Sequence, residues 1–217
     1  VCTFWREDED GTDYNANSAA VTATGEWTHV VGTDDGTNIK LYINGVLTAT
    51  TAASGLTVPD TLNSVYIGHS EEGWSASGSY LDGEIDEVSI WDEALDADAV
   101  AAVYNSGSPI NLNQDKGNYD NSDDIVSWWR MGDSDSGAGN FVTDVIATDG
   151  EALHLPGVAS NYASVPDAAN LDGWTDFTLE MKGVTFADWT PDTIQGLMHK
   201  YETSTDERAW RWNLQTN

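Results

Sequence analysis

The chain has 217 residues, 40% of them hydrophobic, so it can bury a core as one large β domain or as two small ones. Its 37 Asp and Glu residues outnumber 8 Lys and Arg residues and give a formal net charge of −29. This excess of carboxylates argues against nucleic-acid and anionic-membrane binding, because phosphate recognition needs clustered Lys and Arg. The sequence also contains no apolar run long enough for membrane insertion.

Short apolar or alternating runs, separated by Gly, Asn and Asp, fill residues 1–91. Asn38–Gly45 alternates with period two, and its Asn-Gly end is a type I′ hairpin signal before Val46–Thr51. The other predicted strands of this part are Trp27–Thr33, Ser64–His69 and Gly83–Asp92. Such spacing predicts an antiparallel sandwich.

One helix is predicted over residues 96–107, with Asp96 or Asp98 as N-cap and Gly107 and Pro109 as stops. Residues 108–124 are rich in Asn, Asp and Gly, and we interpret them as a linker or long surface loop. Six further β-like runs follow at Ile125–Asp133, Ala152–Gly157, Asn161–Val165, Asp176–Val184, Ile194–Tyr201 and Arg208–Gln215.

Few single residues of the sequence are candidates for a reactive or metal-binding role. Cys2 is the one cysteine and cannot form an internal disulfide, so we predict a buried or edge thiol. The four histidines lack metal-ligand spacing, and each is predicted to be a strand residue with a local partner. The chain opens on Val1 without an initiator Met, and we interpret it as a processed product or as a part of something longer.

Three stretches, Gly25–Thr50, Val65–Ser70 and Leu81–Asn105, carry the ordered motifs W-x-H-V, L-Y-I-N-G-V, Y-I-G and G-x-I-D-E-V-x-I-W-x-x-A-L. This set closely resembles the laminin G-like jelly rolls of the concanavalin A-like lectin/glucanase superfamily. The resemblance implies an all-β fold, an antiparallel two-sheet jelly-roll sandwich with one short helix.

The end of the chain resembles the opening of the same domain. Asn161–Val184 is similar to its edge strand and the next strand, and Leu197–Gln215 is similar to the two strands after those. Residues 1–107 would then be the C-terminal half of a jelly roll and residues 125–217 the N-terminal half, with 108–124 between them.

These halves either belong to two jelly rolls of a tandem array or combine into one permuted or exchanged sandwich. In the second case "RAWRWNLQ" pairs antiparallel with "VCTFWRED". We favour this case because a tandem fragment would leave open apolar edges, which folded domains avoid.

The run "GEIDEVSIWD" resembles the strand that carries the catalytic acids in related glucanases as E-x-D-x-E. Alternation puts Glu84 and Asp86 on one face with Val88, where the second catalytic acid should stand. We therefore expect no catalysis from this strand, with Asp86 bonded to a neighbouring turn and Val88 and Ile90 in the core.

The long loop Gly68–Glu84 is the predicted ligand site. Similar loops in the pentraxins supply calcium ligands, and that resemblance implies calcium binding by Glu71, Glu72, Asp206 and Glu207, whose carboxylates suit this ion. Trp74 and Tyr80 lie in the same loop and are the predicted glycan contacts, because aromatic faces stack on sugar rings. The strand tryptophans Trp27, Trp91 and Trp128 are predicted to lie in the core.

We therefore expect a non-catalytic binding domain on an extracellular or virion surface, with a glycan or cell-surface polysaccharide as partner. The alternative is a structural building block of a fibre, capsid decoration or surface layer, whose partners are copies of itself. Ser127–Asp133 resembles the junction between jelly rolls in surface proteins of marine phages, which fits either role.

Overall fold

The computed structural model describes residues 1–8, 11–18, 25–56, 64–70, 79–131, 152–157, 161–186, 195–202 and 207–214. The strands in these ranges are β1 Cys2–Glu7, β2 Asp13–Asn17, β3 Thr28–Asp34, β4 Asn38–Ile43, β5 Val46–Ala52, β6 Val65–Ile67, β7 His69–Ser70, β8 Ser79–Tyr80, β9 Asp82–Trp91, β10 Ile125–Trp129, β11 Leu153–Pro156, β12 Ala163–Val165, β13 Phe177–Phe186, β14 Gln195–Glu202 and β15 Glu207–Leu214. The α-helix of these ranges, α1, spans Ala97–Tyr104. It lacks the length and apolar composition needed to cross a membrane.

The strands form two large antiparallel sheets. Sheet I has the order β12-β6-β14-β15-β1-β2. Sheet II has the order β10-β9-β13-β3-β4-β5, with β11 also paired to β9, and β7 pairs with β8 in a small hairpin. This architecture confirms the predicted all-β class and is consistent with a jelly-roll sandwich with one short helix.

Sheet I contains strands from both ends of the sequence. β1 pairs antiparallel with β15, with Cys2 opposite Leu214 and Arg6 opposite Trp210, as expected if the terminal runs share a sheet. In sheet II, β13 lies between β9 and β3. Strands from residues 1–107 and 125–217 therefore neighbour each other in both sheets, while the proposed domain boundaries stay a prediction.

The main core lies between the sheets and is built around aromatic rings. Phe4 of β1 contacts Phe177 of β13 and Trp212 of β15 edge-on, with centroids 6.1 and 6.2 Å apart. Gly32 of β3 lies beneath Phe4, where a Cβ atom would be 2.8 Å from the Phe4 ring. Any larger residue at Gly32 would therefore push the sheets apart. Cys2 is buried here, as predicted, and burial raises the pKa of its thiol to about 12.

A second apolar layer covers the outer face of sheet II. The predicted N-cap is confirmed at Asp96, whose carboxylate accepts from Ala99 N at 2.8 Å. The helix ends at Tyr104, where Asn105 adopts a left-handed φ of 43°, before the predicted stops at Gly107 and Pro109. Its buried face packs with Trp91 and Tyr42 of the sheet.

Residues 108–124, interpreted above as a linker or surface loop, are anchored on this layer. Ile110, Leu112 and Tyr119 are buried in the cluster that contains Trp91. The Tyr119 hydroxyl donates to Leu112 O at 2.8 Å and accepts from Trp91 Nε1 at 3.1 Å. Three apolar anchors among polar residues thus fix a segment that has little regular structure.

A buried ion pair joins the two sheets. Arg6 Nη1 of β1 donates to Asp34 Oδ2 of β3 at 2.9 Å, and both side chains are almost fully buried. Burial lowers the pKa of Arg6 to about 10, and burial also raises the pKa of Asp34 despite the arginine beside it. Desolvation therefore outweighs the attraction, and either charge alone would be costly in this position.

We expect Arg6→Met to lower the free energy of unfolding by about 3 kcal/mol, because Asp34 would stay buried without its countercharge. Lys40→Met is the matched control: it removes the half-exposed Lys40–Asp35 pair and should cost less than about 1 kcal/mol. Urea denaturation measures both values. Equal losses in the two variants would contradict the assigned role of the Arg6–Asp34 pair.

Candidate functional site

The outer face of sheet I carries a row of planar side chains on adjacent strands. In the strand registers, Tyr66 lies opposite His199, His199 opposite Arg211, and Arg211 opposite Trp5. Tyr66 stacks on His199 with centroids 4.9 Å apart and planes 16° apart, and the Arg211 guanidinium lies 3.7 Å from the centre of the Trp5 ring. We call these four residues the planar row.

One end of the row widens into a cluster of five rings, formed by Tyr66, His69, Tyr80, Tyr162 and His199, which we call the ring cluster. His69 stacks against Tyr80 at 4.5 Å and against Tyr162 at 5.1 Å between centroids. Tyr162 is 40% exposed, Tyr66 and Tyr80 are half-buried, and both histidines are buried. The cluster therefore offers tyrosine rings to solvent above two imidazoles.

The imidazoles of the ring cluster are uncharged at neutral pH. Burial lowers the pKa of His199 to about 3, and burial also lowers the pKa of His69. His199 Nδ1 donates to the carbonyl oxygen of His69 at 2.7 Å, which holds the ring in one tautomer. The cluster thus provides aromatic faces and hydrogen-bonding atoms without a histidine charge.

The structure brings one of the predicted ligand residues, Tyr80, into this cluster. Its partner in the prediction, Trp74, lies outside the described residues, as do the proposed calcium ligands Glu71, Glu72 and Asp206. Glu207 begins β15 opposite Glu202 in β14. The residues that the structure describes contain no group of three or more His, Cys, Asp and Glu side chains suited to a metal.

The sequence analysis did not identify most residues of the planar row and the ring cluster as a candidate site. Alternation in "SVYIGH" does place Tyr66 on the face opposite Val65 and Ile67, which are buried in the core. The partners of Tyr66 lie in distant parts of the sequence, and only the register of β14 with β6 brings His199 beside it. All four histidines lie in strands, as predicted, with His29 bonded at 2.8 Å to Glu180, which is 151 residues away in sequence, and His154 near Glu84 at 4.0 Å.

The carboxylates of β9 lie on sheet II, in a strand that does not keep strict alternation. Ile85 and Val88 both enter the core, because Glu87 between them adopts a positive φ of 52°. The expected shared face of Glu84, Asp86 and Val88 is therefore wrong, because the reversal at Glu87 turns Val88 to the side of Ile85. The predicted core positions of Val88 and Ile90 are confirmed.

Glu87 fastens an edge strand. Its side chain is 4% exposed and accepts from Trp128 Nε1 at 2.6 Å and from Arg130 Nε and Nη2 at 3.2 Å each. Burial raises the pKa of Glu87 to about 7, although Arg130 and Trp128 act in the opposite direction. The bonds tie β10 and the residue that follows it to the centre of β9.

Trp27 does not lie in the core, contrary to the prediction. It is 51% exposed and precedes β3, so the alternation of that strand does not include it. Its ring lies against Gly183 of β13, where a Cβ atom would be 2.6 Å from Trp27 Cε3. Trp91 is fully buried, as predicted, and Trp128 is half-buried.

The raised pKa of Glu87 predicts a pH-dependent stability. The folded protein holds this proton more tightly than the unfolded chain, in which a glutamate has a pKa of about 4.3. Between about pH 4.5 and 7 the wild type should therefore lose about 1–3 kcal/mol relative to Glu87→Gln, with no further change above that range.

Urea denaturation of both proteins at several pH values measures this difference. Trp128→Phe is the control, because it removes a hydrogen bond and keeps the titrating carboxyl, so the fall with pH should persist. If the free energy of unfolding of the wild type, relative to that of Glu87→Gln, stayed constant or rose between about pH 4.5 and 7, the assignment would be refuted.

Residues 2–101 match a laminin G family model described as the concanavalin A-like lectin/glucanases superfamily. The match runs from β1 through β9 and ends within α1. No curated protein and no solved structure matches the chain. The resemblance predicted from the motifs is thus confirmed over these residues, and the likeness to phage surface proteins stays a prediction.

Proposed function

Because residues 2–101 match a model of the concanavalin A-like lectin/glucanases superfamily, we propose that this sandwich is a non-catalytic domain that binds carbohydrate through the outer face of sheet I. The observation that carries the proposal is the ring cluster, with Tyr66, Tyr80 and Tyr162 at its accessible side. The match to the superfamily supports a binding domain, and the ring cluster supports the choice of ligand.

The chemistry of the cluster fits a sugar ring. Tyrosine presents an apolar face for the C–H side of a pyranose and a hydroxyl for its polar edge. The two imidazoles beneath are neutral, so the cluster carries no histidine charge to attract an acidic group. The net charge of −29 would repel a polyanion at long range. We therefore favour a neutral glycan or cell-surface polysaccharide, met on an extracellular or virion surface.

The environment of β9 supports a binding role without catalysis. Retaining hydrolysis needs two carboxyl groups about 5 to 5.5 Å apart on either side of the glycosidic bond. Val88 is in the core, Glu87 is buried and held by Trp128 and Arg130, and Glu84 is half-exposed near His154. These carboxylates belong to sheet II, whereas Tyr66 and His199 of the ring cluster belong to strands of sheet I.

Calcium remains part of the proposal as an accessory ion at Glu71, Glu72, Asp206 and Glu207. Its support is the oxygen chemistry of those side chains and the acidity of the chain. A glycan screen with calcium and again with chelator separates an ion-dependent lectin from one that relies on the ring cluster alone.

The test is a glycan array followed by calorimetry on the strongest ligand. Tyr162→Ala and Tyr66→Ala should each weaken binding at least about fivefold, because each removes a stacking face. Trp27→Ala, which removes a comparably exposed aromatic ring next to sheet II, is the matched control and should leave the affinity unchanged.

Binding that survives both tyrosine substitutions, or that Trp27→Ala abolishes equally, would reject the ring cluster as the site. Absence of binding to any glycan by the folded chain, with and without calcium, would reject carbohydrate recognition.

A structural building block is the second candidate, and the uncharged strand β5 is the observation that favours it. Among the described residues β5 pairs with β4 alone and so forms an edge of sheet II. Its sequence, VLTATTA, has no charge, and Val46 and Leu47 are 64% and 46% exposed. Long uncharged edge strands accept a strand from another copy unless a charge or proline blocks them.

We expect this edge to mediate concentration-dependent oligomers, measured by light scattering coupled to gel filtration. Thr50→Lys should shift the chain toward monomer, because a lysine on an edge strand opposes strand addition. Thr37→Lys adds the same charge at an exposed turn and is the control. A wild type that is monomeric at every concentration would reject this candidate.

A further inference from the structure

Two imidazoles of the ring cluster each have a buried nitrogen that no described residue bonds. These atoms are Nε2 of His199 and Nδ1 of His69. Buried polar atoms without a partner are rare in native proteins, and a bound ion or water is one of their usual causes. We propose that His69 and His199 are the two imidazole ligands of a site for a divalent ion of the zinc class.

The hydrogen bond of His199 prepares it as a ligand. Its Nδ1 lies 2.7 Å from the carbonyl oxygen of His69, and since a carbonyl only accepts, the proton sits on Nδ1. Nε2 therefore carries a lone pair. Metal-binding histidines almost always donate their other ring N–H to a carbonyl, a carboxylate or water, which fixes the tautomer and orients the ring.

The faces of both rings contact tyrosines, whereas the nitrogen lone pairs lie in the ring planes. Tyr66 stacks on His199 and Tyr80 stacks on His69. Stacking therefore holds the rings in place without using the nitrogen atoms. This arrangement supplies the rigid support that a metal ligand needs.

The spacing of the two rings fits a shared ion. Their centroids are 5.5 Å apart and their planes are 58° apart. In a tetrahedral zinc site each nitrogen lies about 2.0–2.1 Å from the metal, which puts the centroids of two imidazoles on one ion about 5 Å apart.

The donor type selects the ion. Neutral imidazole suits Zn²⁺ and its neighbours in the transition series, whereas Ca²⁺ prefers oxygen. This site therefore differs in kind from the carboxylate calcium site proposed above. The described residues offer no group of three or more His, Cys, Asp and Glu ligands, and the proposed site leaves its remaining coordination positions to water or to a ligand hydroxyl.

Calorimetric titration of Zn²⁺ into the tag-free, chelator-treated chain tests the proposal without any glycan. We expect a single tight equivalent, weakened at least about tenfold by His69→Gln and by His199→Gln, and changed less than about twofold by His154→Gln. His154 is the control because it is an exposed histidine in β11. A wild type that binds no zinc, or an affinity that both variants retain, would overturn the proposal.

Imidazole ¹⁵N spectra of the wild type provide a test that does not depend on how the variants fold. Added Zn²⁺ should shift the resonances of His199 Nε2 and His69 Nδ1, and added Ca²⁺ should not. Zinc that shifts only His154, or that shifts no ring nitrogen, would equally overturn the proposal. Because neither measurement uses a sugar, failure of the metal site and failure of carbohydrate binding are distinguishable.

Discussion

The antiparallel pairing of β15 with β1 sets the arrangement of the whole outer face of sheet I. β15 lies between β14 and β1, so one register places Arg211 opposite both His199 and Trp5. A slip by one residue would turn Arg211 into the core and expose the neighbouring indoles, because strand side chains alternate with period two. The buried packing of Trp210 and Trp212 therefore fixes the register that assembles the planar row on the other face.

Sheet II depends on a different constraint, the reversal at Glu87. A left-handed conformation at a residue other than glycine costs about 1–2 kcal/mol, which the hydrogen bonds from Trp128 and Arg130 offset. In the β9–β13 register Glu87 lies between the residues that pair with Met181 and Gly183, and Lys182 between those two donates to the last carbonyls of α1. Glu87 thus holds the edge strand β10 against β9, and Lys182 binds the end of the helix.

Local sequence patterns predicted the strands and the helix, but they did not predict which side chains these elements bring into contact. Alternation in Asn38–Gly45 and the Asp96 cap identified a strand and a helix, because both signals reside in neighbouring residues. The planar row could not be foreseen, since it joins four strands whose register depends on tertiary packing. Alternation likewise gave no sign of the reversal at Glu87, and a lone aromatic residue among polar ones, Tyr119, gave no sign that its loop was anchored.

The same pairing has a consequence for how the protein is made. The Trp212 indole donates to Cys2 Sγ across 210 residues of sequence. Contacts between such distant segments form late and slow the folding of β proteins. During synthesis β1 can pair with β2 before β15 has been made. In that state one edge of β1 is unpaired and Phe4 is exposed, so the nascent chain is prone to aggregate. The yield of folded chain would depend on how well chaperones shield that early hairpin until β15 leaves the ribosome.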